Sequence, residues 1–370
     1  MVVLACVLVL PLGSCSPART GEALNVLRDI EAGAGPSDLK DSTPEPDRRA
    51  ITFSVEGRER RGDLYDPNQP VAAGMVIVPG AAEAGKDDPR LVAFANTFAR
   101  ARFEVLVPDV EAMRELRVTS DDARVLADAI IHLHERDPDR PLGLAAISFA
   151  LGPGVLALFE PGAGDRVDVV VGVGGYFDVV ETITFFTTGH YRESADAPWQ
   201  HRTPNEYGKW VFALSNANRL DDPDDAQVLT EMAEWKMRYL EADVSNLAAR
   251  LGPQGQAVYD LLTNDDPDRV PALIAALPES IQEEIEALDL SRKPLETLAA
   301  EFILIHGRED PIIPATESMA FARALPEDQV RLYVVDSIGH VEPESPGVVD
   351  SVRLLRAVYR VLSWRDSVAQ

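Results

Sequence analysis

The chain has 370 residues, a formal net charge of −26 and 46% hydrophobic residues. That length and apolar content are ample for a large core, and the acidic balance excludes nucleic acid as a partner because no basic stripe is available to bind phosphates. The two cysteines, Cys6 and Cys15, both precede the folded part, which rules out a disulfide framework and a cysteine-based zinc site.

Met1 to Leu12 is apolar but too short to span a bilayer, and reads as the hydrophobic region of a signal peptide. Residues 16–49 shift to Ser, Pro, Gly, Asp and Glu with a brief helical patch around Ala23 to Ile30, the composition of a flexible tether. Ile51 to Val55 alternates as a half-buried strand, and Glu56 to Arg61 turns into a second strand toward Leu64 and Tyr65. Met75 to Val78 is a fully apolar strand followed by the small-residue loop Pro79-Gly80-Ala81-Ala82, whose backbone N–H groups are accessible to an anion. A helix over Arg90 to Arg102, a strand over Glu104 to Pro108 and an amphipathic helix over Asp121 to Glu135 follow. Strand and helix in alternation predict a parallel sheet. His132 and His134 are two residues apart on that last helix, so they do not share a face as metal ligands would, and they read as surface or edge residues.

Leu142 to Ile147 is a short continuous apolar run that stops at Ser148, and Ala150 to Phe159 has a helical pattern. Ser148 therefore sits in a strand-to-helix turn, where only small side chains fit two residues before and after it; Ala146 and Ala150 hold those places. An ordinary strand ending in serine is the competing reading of A-x-S-x-A. Val167 to Val173 is a further strand, ending in Gly174-Gly175-Tyr176-Phe177-Asp178, whose glycines do not match a dinucleotide-binding pattern.

Between residues 180 and 296 the alternation stops, and Ala226 to Tyr239 and Ile281 to Leu288 are helical, as in an inserted cap. Eleven aromatics fall between Tyr176 and Tyr239, among them Phe185, Phe186, Trp199, Trp210 and Trp235. They either line an apolar substrate pocket or pack the cap's own core. The recurrent Asp-Pro pairs, such as Asp88-Pro89 and Asp222-Pro223, read as helix starts. Alternation resumes with a strand over Phe302 to Ile305, a helix over Ala315 to Leu325, a strand over Val330 to Val335 and a closing helix over Val349 to Leu362.

Asp310 and His340 follow these last two strands, so the order along the chain is Ser148, Asp310, His340. With Gly307 to Pro314, Gly339-His340 and the small-residue turn at Ser148, the chain resembles a serine hydrolase of the α/β-hydrolase superfamily from about Ile51 to Leu362. The resemblance implies an α/β fold with a mostly parallel central sheet flanked by helices: a core in two parts, residues 50–179 and 297–370, interrupted by the helical cap. It departs from the family pattern in the two elbow alanines and in Pro79-Gly80 where many members have His-Gly. It implies Ser148 as nucleophile, His340 as general base and then acid, and Asp310 as its orienting group. The oxyanion donors would be the backbone N–H of Phe149 and that of Ala81 or Ala82. Asp178 is a rival for the acid, while His306, Asp336 and Glu342 read as structural. Leu12-Gly13-Ser14-Cys15 resembles the lipobox of bacterial lipoproteins, although no Lys or Arg precedes the apolar run; it implies cleavage after residue 14, an acylated Cys15 as membrane tether and an exported protein.

The activity expected is cofactor-free and metal-free cleavage of a small carboxylic ester with an apolar acyl group, through an acyl-serine intermediate. Thioester, amide or lactone hydrolysis by the same fold, and a non-catalytic binding or scaffold role at the cell envelope, are the alternatives.

Overall fold

The computed structural model describes residues 16–336 and 348–367. The central sheet has eight strands: β1 (Asp47–Val55), β2 (Arg58–Asp66), β3 (Ala73–Val78), β4 (Phe103–Pro108), β5 (Leu142–Ile147), β6 (Val169–Val173), β7 (Glu301–Gly307) and β8 (Val330–Val335), in spatial order β1-β2-β4-β3-β5-β6-β7-β8. β2 runs antiparallel to both its neighbours and every other pairing is parallel. The β1–β2 hairpin closes through Glu56 and Gly57, both at positive φ, the geometry that matches a two-residue turn to strand twist.

Every residue of β3 and β4 is buried, and β5 is buried up to Ile147, as continuous apolar runs in the middle of a two-sided α/β sheet require. Two hydrophobic layers cover the faces. One contains Leu126, Ile130 and Val155 from the helices Asp122–Arg136 and Leu151–Leu156. The other contains Phe98 from Pro89–Arg100 and Leu362 from the closing helix Val348–Arg365. Between β6 and β7 the chain forms helices from Val179–Thr188 to Glu279–Leu288 and a small hairpin, His190–Tyr191 against Gln200–His201, around an apolar core of their own.

The 16–49 stretch differs from the expected flexible tether. Pro17–Ala32 is a helix whose Ala23 and Val26 join the second core layer, with Leu27 buried beside them. Arg365, fully buried at the end of the closing helix, binds Glu22 through both guanidinium arms, at 2.6 and 3.0 Å, and also donates to the Ala101 carbonyl at 2.7 Å. Asp29, buried on the same N-terminal helix, accepts hydrogen bonds from Ser37, Lys40 and Thr97. Of this helix the sequence showed only the patch from Ala23 to Ile30; its full length and its charged anchor lie outside that reading.

Candidate active site

The sheet register fixes where the candidate residues stand. Val78 pairs with Ala146, Ile147 with Val173, Val173 with Ile305, and Gly307 with Val335, so the carboxyl ends of β3, β5, β6, β7 and β8 lie along one edge. Ser148 follows β5 directly and Asp310 lies three residues beyond β7. His340 and Glu342 lie outside the described residues, as does Cys15.

Ser148 adopts φ +58°, in the left-handed region that residues with a Cβ rarely enter. The chain has to swing from β5 into a single 3₁₀ turn, Ser148–Ala150, and on into the helix Leu151–Leu156, and this residue takes up the reversal. The flanking positions must be small because the helix sits against the strand. Ala146 and Ala150 are fully buried, and a Cβ added at Gly154 would stand 3.2 Å from that of Ala146. Gly152 admits the ring of Tyr176, whose hydroxyl would lie 1.8 Å from a Cβ there.

Asp310 is fully buried. Its Oδ1 accepts from the backbone N–H groups of Ile312 at 2.8 Å and Ile313 at 3.0 Å, which pins the carboxylate within its own turn. His306 lies 3.4 Å from Asp310 Oδ2. Its Nε2 faces the Ile313 carbonyl at 2.9 Å, and a carbonyl only accepts, so Nε2 holds the ring proton and Nδ1 receives the Ser318 hydroxyl at 2.7 Å. Both ring nitrogens are therefore occupied inside the core, the structural position expected of His306. Asp178, the rival acid, caps the helix Val179–Thr188 by accepting from Val180 at 2.8 Å and Glu181 at 3.1 Å, and burial raises its pKa. Asp336 pairs with Arg308 at 2.5 Å. His132 is half-buried and stacks on Phe53 at 4.4 Å between ring centroids, a packing role.

The backbone donors separate. Phe149 N–H lies in the first turn of the helical segment that starts at Ser148, where no intrahelical acceptor exists for it. The 79–82 loop runs beside the elbow: a Cβ at Gly80 would stand 3.8 Å from the Ile147 carbonyl. Within that loop the Ala82 N–H donates to the Met113 carbonyl at 3.1 Å, which removes Ala82 from the expected oxyanion donors. The Ala81 N–H makes no hydrogen bond among the described residues and stays available.

A cavity of about 70 Å³ opens beside the elbow, with Phe149 and Tyr176 on the core side and Ile183, Phe186, Val211 and Phe212 opposite. Of the aromatics singled out in the sequence, Phe186 lines it. Trp210 packs in the helical core, Trp199 lies under Arg192 at 4.1 Å, Phe185 is buried against Tyr191, and Trp235 is exposed. Among the described residues no group of three or more His, Cys, Asp or Glu side chains is placed to hold a metal.

Three contacts that the sequence did not reveal reach these loops from the segment after the small hairpin. Arg202 Nη1 donates to the Asp310 carbonyl at 3.2 Å, Asn205 N–H to the Pro311 carbonyl at 2.6 Å, and the Tyr207 hydroxyl to the Ala81 carbonyl at 3.0 Å. No sequence motif marks residues 202–207; their role is visible only in three dimensions.

No family model matches the sequence, and no curated protein does. Solved structures do match. A Legionella pneumophila protein provisionally assigned as a hydrolase superposes with a TM-score of 0.55 at 14% identity, covering 96% of each chain. A puromycin-hydrolysing peptidase of Mycobacterium tuberculosis superposes with a TM-score of 0.50 at 14% identity, covering 87% of this chain and 39% of the peptidase. The chain thus spans about two fifths of that peptidase's length. Likeness at this identity speaks to architecture, and it agrees with the strand order, the single antiparallel strand β2 and the strand-to-helix turn at Ser148: the chain has the α/β-hydrolase fold.

Proposed function

We propose that the protein is a serine hydrolase that cleaves carboxylic esters or related acyl compounds through an acyl-serine intermediate. The observation that supports this most is Ser148 at φ +58° in the turn after β5, on the sheet edge to which Asp310 also belongs. A strained residue at the carboxyl edge is kept where its side chain has a task there, and the fold's other members with solved structures include hydrolases.

In this reading His340 takes the Ser148 proton as Oγ attacks the acyl carbon, and the carbonyl π electrons move to oxygen. Phe149 N–H and Ala81 N–H receive that oxyanion. Collapse expels the alcohol, to which His340 returns the proton, and water then repeats the sequence on the acyl-enzyme. Asp310 orients the imidazole and stabilises its cationic form, held ready by the backbone donors at Ile312 and Ile313. The apolar cavity beside Phe149 takes a short acyl group: its volume is about half the ~150 Å³ of an engineered cavity that admits a benzene ring.

A peptidase or amidase is the second reading, favoured by the puromycin-hydrolysing neighbour. Parallel assays on p-nitrophenyl esters of increasing acyl length and on matched p-nitroanilides distinguish the two. Ester turnover with a short-chain optimum, lost in Ser148→Ala, Asp310→Asn and His340→Ala, is the expected result; turnover of anilides alone favours the second reading, and turnover of neither rejects both. We further propose export and acylation at Cys15, supported by the lipobox-like Leu12 to Cys15; mass spectrometry of the mature N-terminus would reject this on finding an unmodified chain that begins at Met1.

A further inference from the structure

We infer that Tyr207 is a positioning residue for the oxyanion donor at Ala81, and that residues 202–207 make the helical segment part of the catalytic framework. The inference rests on the hydrolase reading above.

Two successive peptide units set the direction of the Ala81 N–H. The unit between Ala81 and Ala82 is held at both ends: its carbonyl accepts from the Tyr207 hydroxyl at 3.0 Å, and its N–H donates to Met113 at 3.1 Å. A peptide is planar, so fixing both of its polar groups fixes its plane. The preceding unit, between Gly80 and Ala81, carries the Ala81 N–H, and its direction then depends on the torsions at one residue. Met113 belongs to the short helix Glu111–Arg114 beyond β4, whereas Tyr207 opens the helix Tyr207–Ala217 of the segment between β6 and β7. One side of the clamp is therefore core and the other is the inserted segment.

Tyr207 is itself located from the other catalytic loop. Its backbone N–H donates to Asn205 Oδ1 at 2.9 Å, Asn205 N–H donates to the carbonyl of Pro311, and Arg202 reaches both the carbonyl of Asp310 and the carboxylate of Glu309, the latter at 2.9 Å. Six consecutive residues thus tie the turn that holds Asp310 to the loop that holds Ala81. Burial pushes the Tyr207 phenol up to about 12, so it remains a donor across any working pH. Oxyanion stabilisation depends on donors fixed before charge develops, and an extra hydrogen bond to the loop's backbone supplies that rigidity without touching substrate.

Tyr207→Phe removes only the hydroxyl, and Tyr207→Gln keeps a donor. Misaiming one donor costs less than deleting it, so Tyr207→Phe is expected to lower kcat about tenfold and leave KM within about twofold, against the roughly 10²–10³ lost when an oxyanion donor is deleted. Affinity for an alkylboronic acid, which forms a tetrahedral adduct, falls in parallel with kcat; Tyr207→Gln recovers part of both, and thermal stability is unchanged. If Tyr207→Phe does not fold, Tyr207→Met, which also lacks the donor, at wild-type stability with the same split between kcat and KM supports the inference, and wild-type kinetics in it overturns it. Equal kcat and boronate affinity in wild type and Tyr207→Phe also overturn it. Fluorophosphonate labelling separates the two levels. Absence of Ser148-dependent labelling in the wild type removes the hydrolase reading and this inference with it, whereas intact labelling with unaltered Tyr207→Phe kinetics removes only the inference.

Discussion

Ser148 offers a test of the elbow that needs no substrate. At φ +58° a residue with a Cβ pays a steric penalty of about 1–2 kcal/mol, which glycine avoids. Comparing Ser148→Gly with Ser148→Ala isolates that penalty, because both variants lose the hydroxyl and whatever it bonds to. Glycine also makes the unfolded chain more flexible, which opposes the gain by roughly 0.5–1 kcal/mol. The difference leaves Ser148→Gly more stable than Ser148→Ala by about 0.5–1 kcal/mol, despite having the smaller side chain. Urea unfolding of the two proteins side by side, read as the shift in midpoint at constant slope, measures it. A Ser148→Ala protein as stable as Ser148→Gly, or more so, would mean that residue 148 does not hold a left-handed backbone, and the nucleophile assignment would lose its main structural support.

Other predictions concern groups away from the reacting centre. Arg365→Leu should destabilise the protein by about 3–5 kcal/mol, because it leaves Glu22 and the Ala101 carbonyl without their buried partner; urea unfolding reports the loss, and limited proteolysis should show cleavage near Ala32 in the variant first. Glu317 is buried and its carboxyl is pushed up to about 8 from an ordinary 4.5, mainly by burial, although the N–H groups of Phe177 and Asp178 oppose the shift. With the folded value above the unfolded one, the native state retains a proton that the unfolded chain has lost, so this group makes stability fall as pH rises from about 4.5 to 8. Glu317→Gln should flatten that slope, and a thermal-denaturation series across the window in which both proteins lose stability in parallel would refute the assignment.

The middle of the sheet was legible because strands such as Met75 to Val78 and Leu142 to Ile147 are apolar runs separated by amphipathic helices; the edge strands, Ile51 to Val55 with its alternation and Val330 to Val335 with Arg331 in it, were legible from their place in that rhythm. The hairpin was legible from the charged stretch Glu56 to Arg61 between two strand patterns, although the turn is only Glu56-Gly57 and the second strand already begins at Arg58. The helix Pro17–Ala32 was legible only as a brief patch from Ala23 to Ile30 inside an expected tether, because its polar faces and the Ser, Pro and Gly around it lower the average below that of a packed element. Its anchor, Arg365, lies more than 300 residues away in sequence. The same distance effect hid the site's fine structure. That Ala82 N–H is taken by Met113, and that Tyr207 holds the Ala81 carbonyl, are facts of tertiary contact with no local signal. Small residues around Ser148 were readable because the constraint that selects them is local: one turn, with a strand behind it and a helix packed against it.

The most direct test of the central claim is labelling of the folded protein with a fluorophosphonate, followed by mass spectrometry of the modified peptide. A single adduct on Ser148 is expected, formed in the wild type and absent from Ser148→Ala, with the rate of formation reduced by orders of magnitude in His340→Ala. A folded wild-type protein that takes up no label, or one labelled equally after Ser148→Ala, would contradict it.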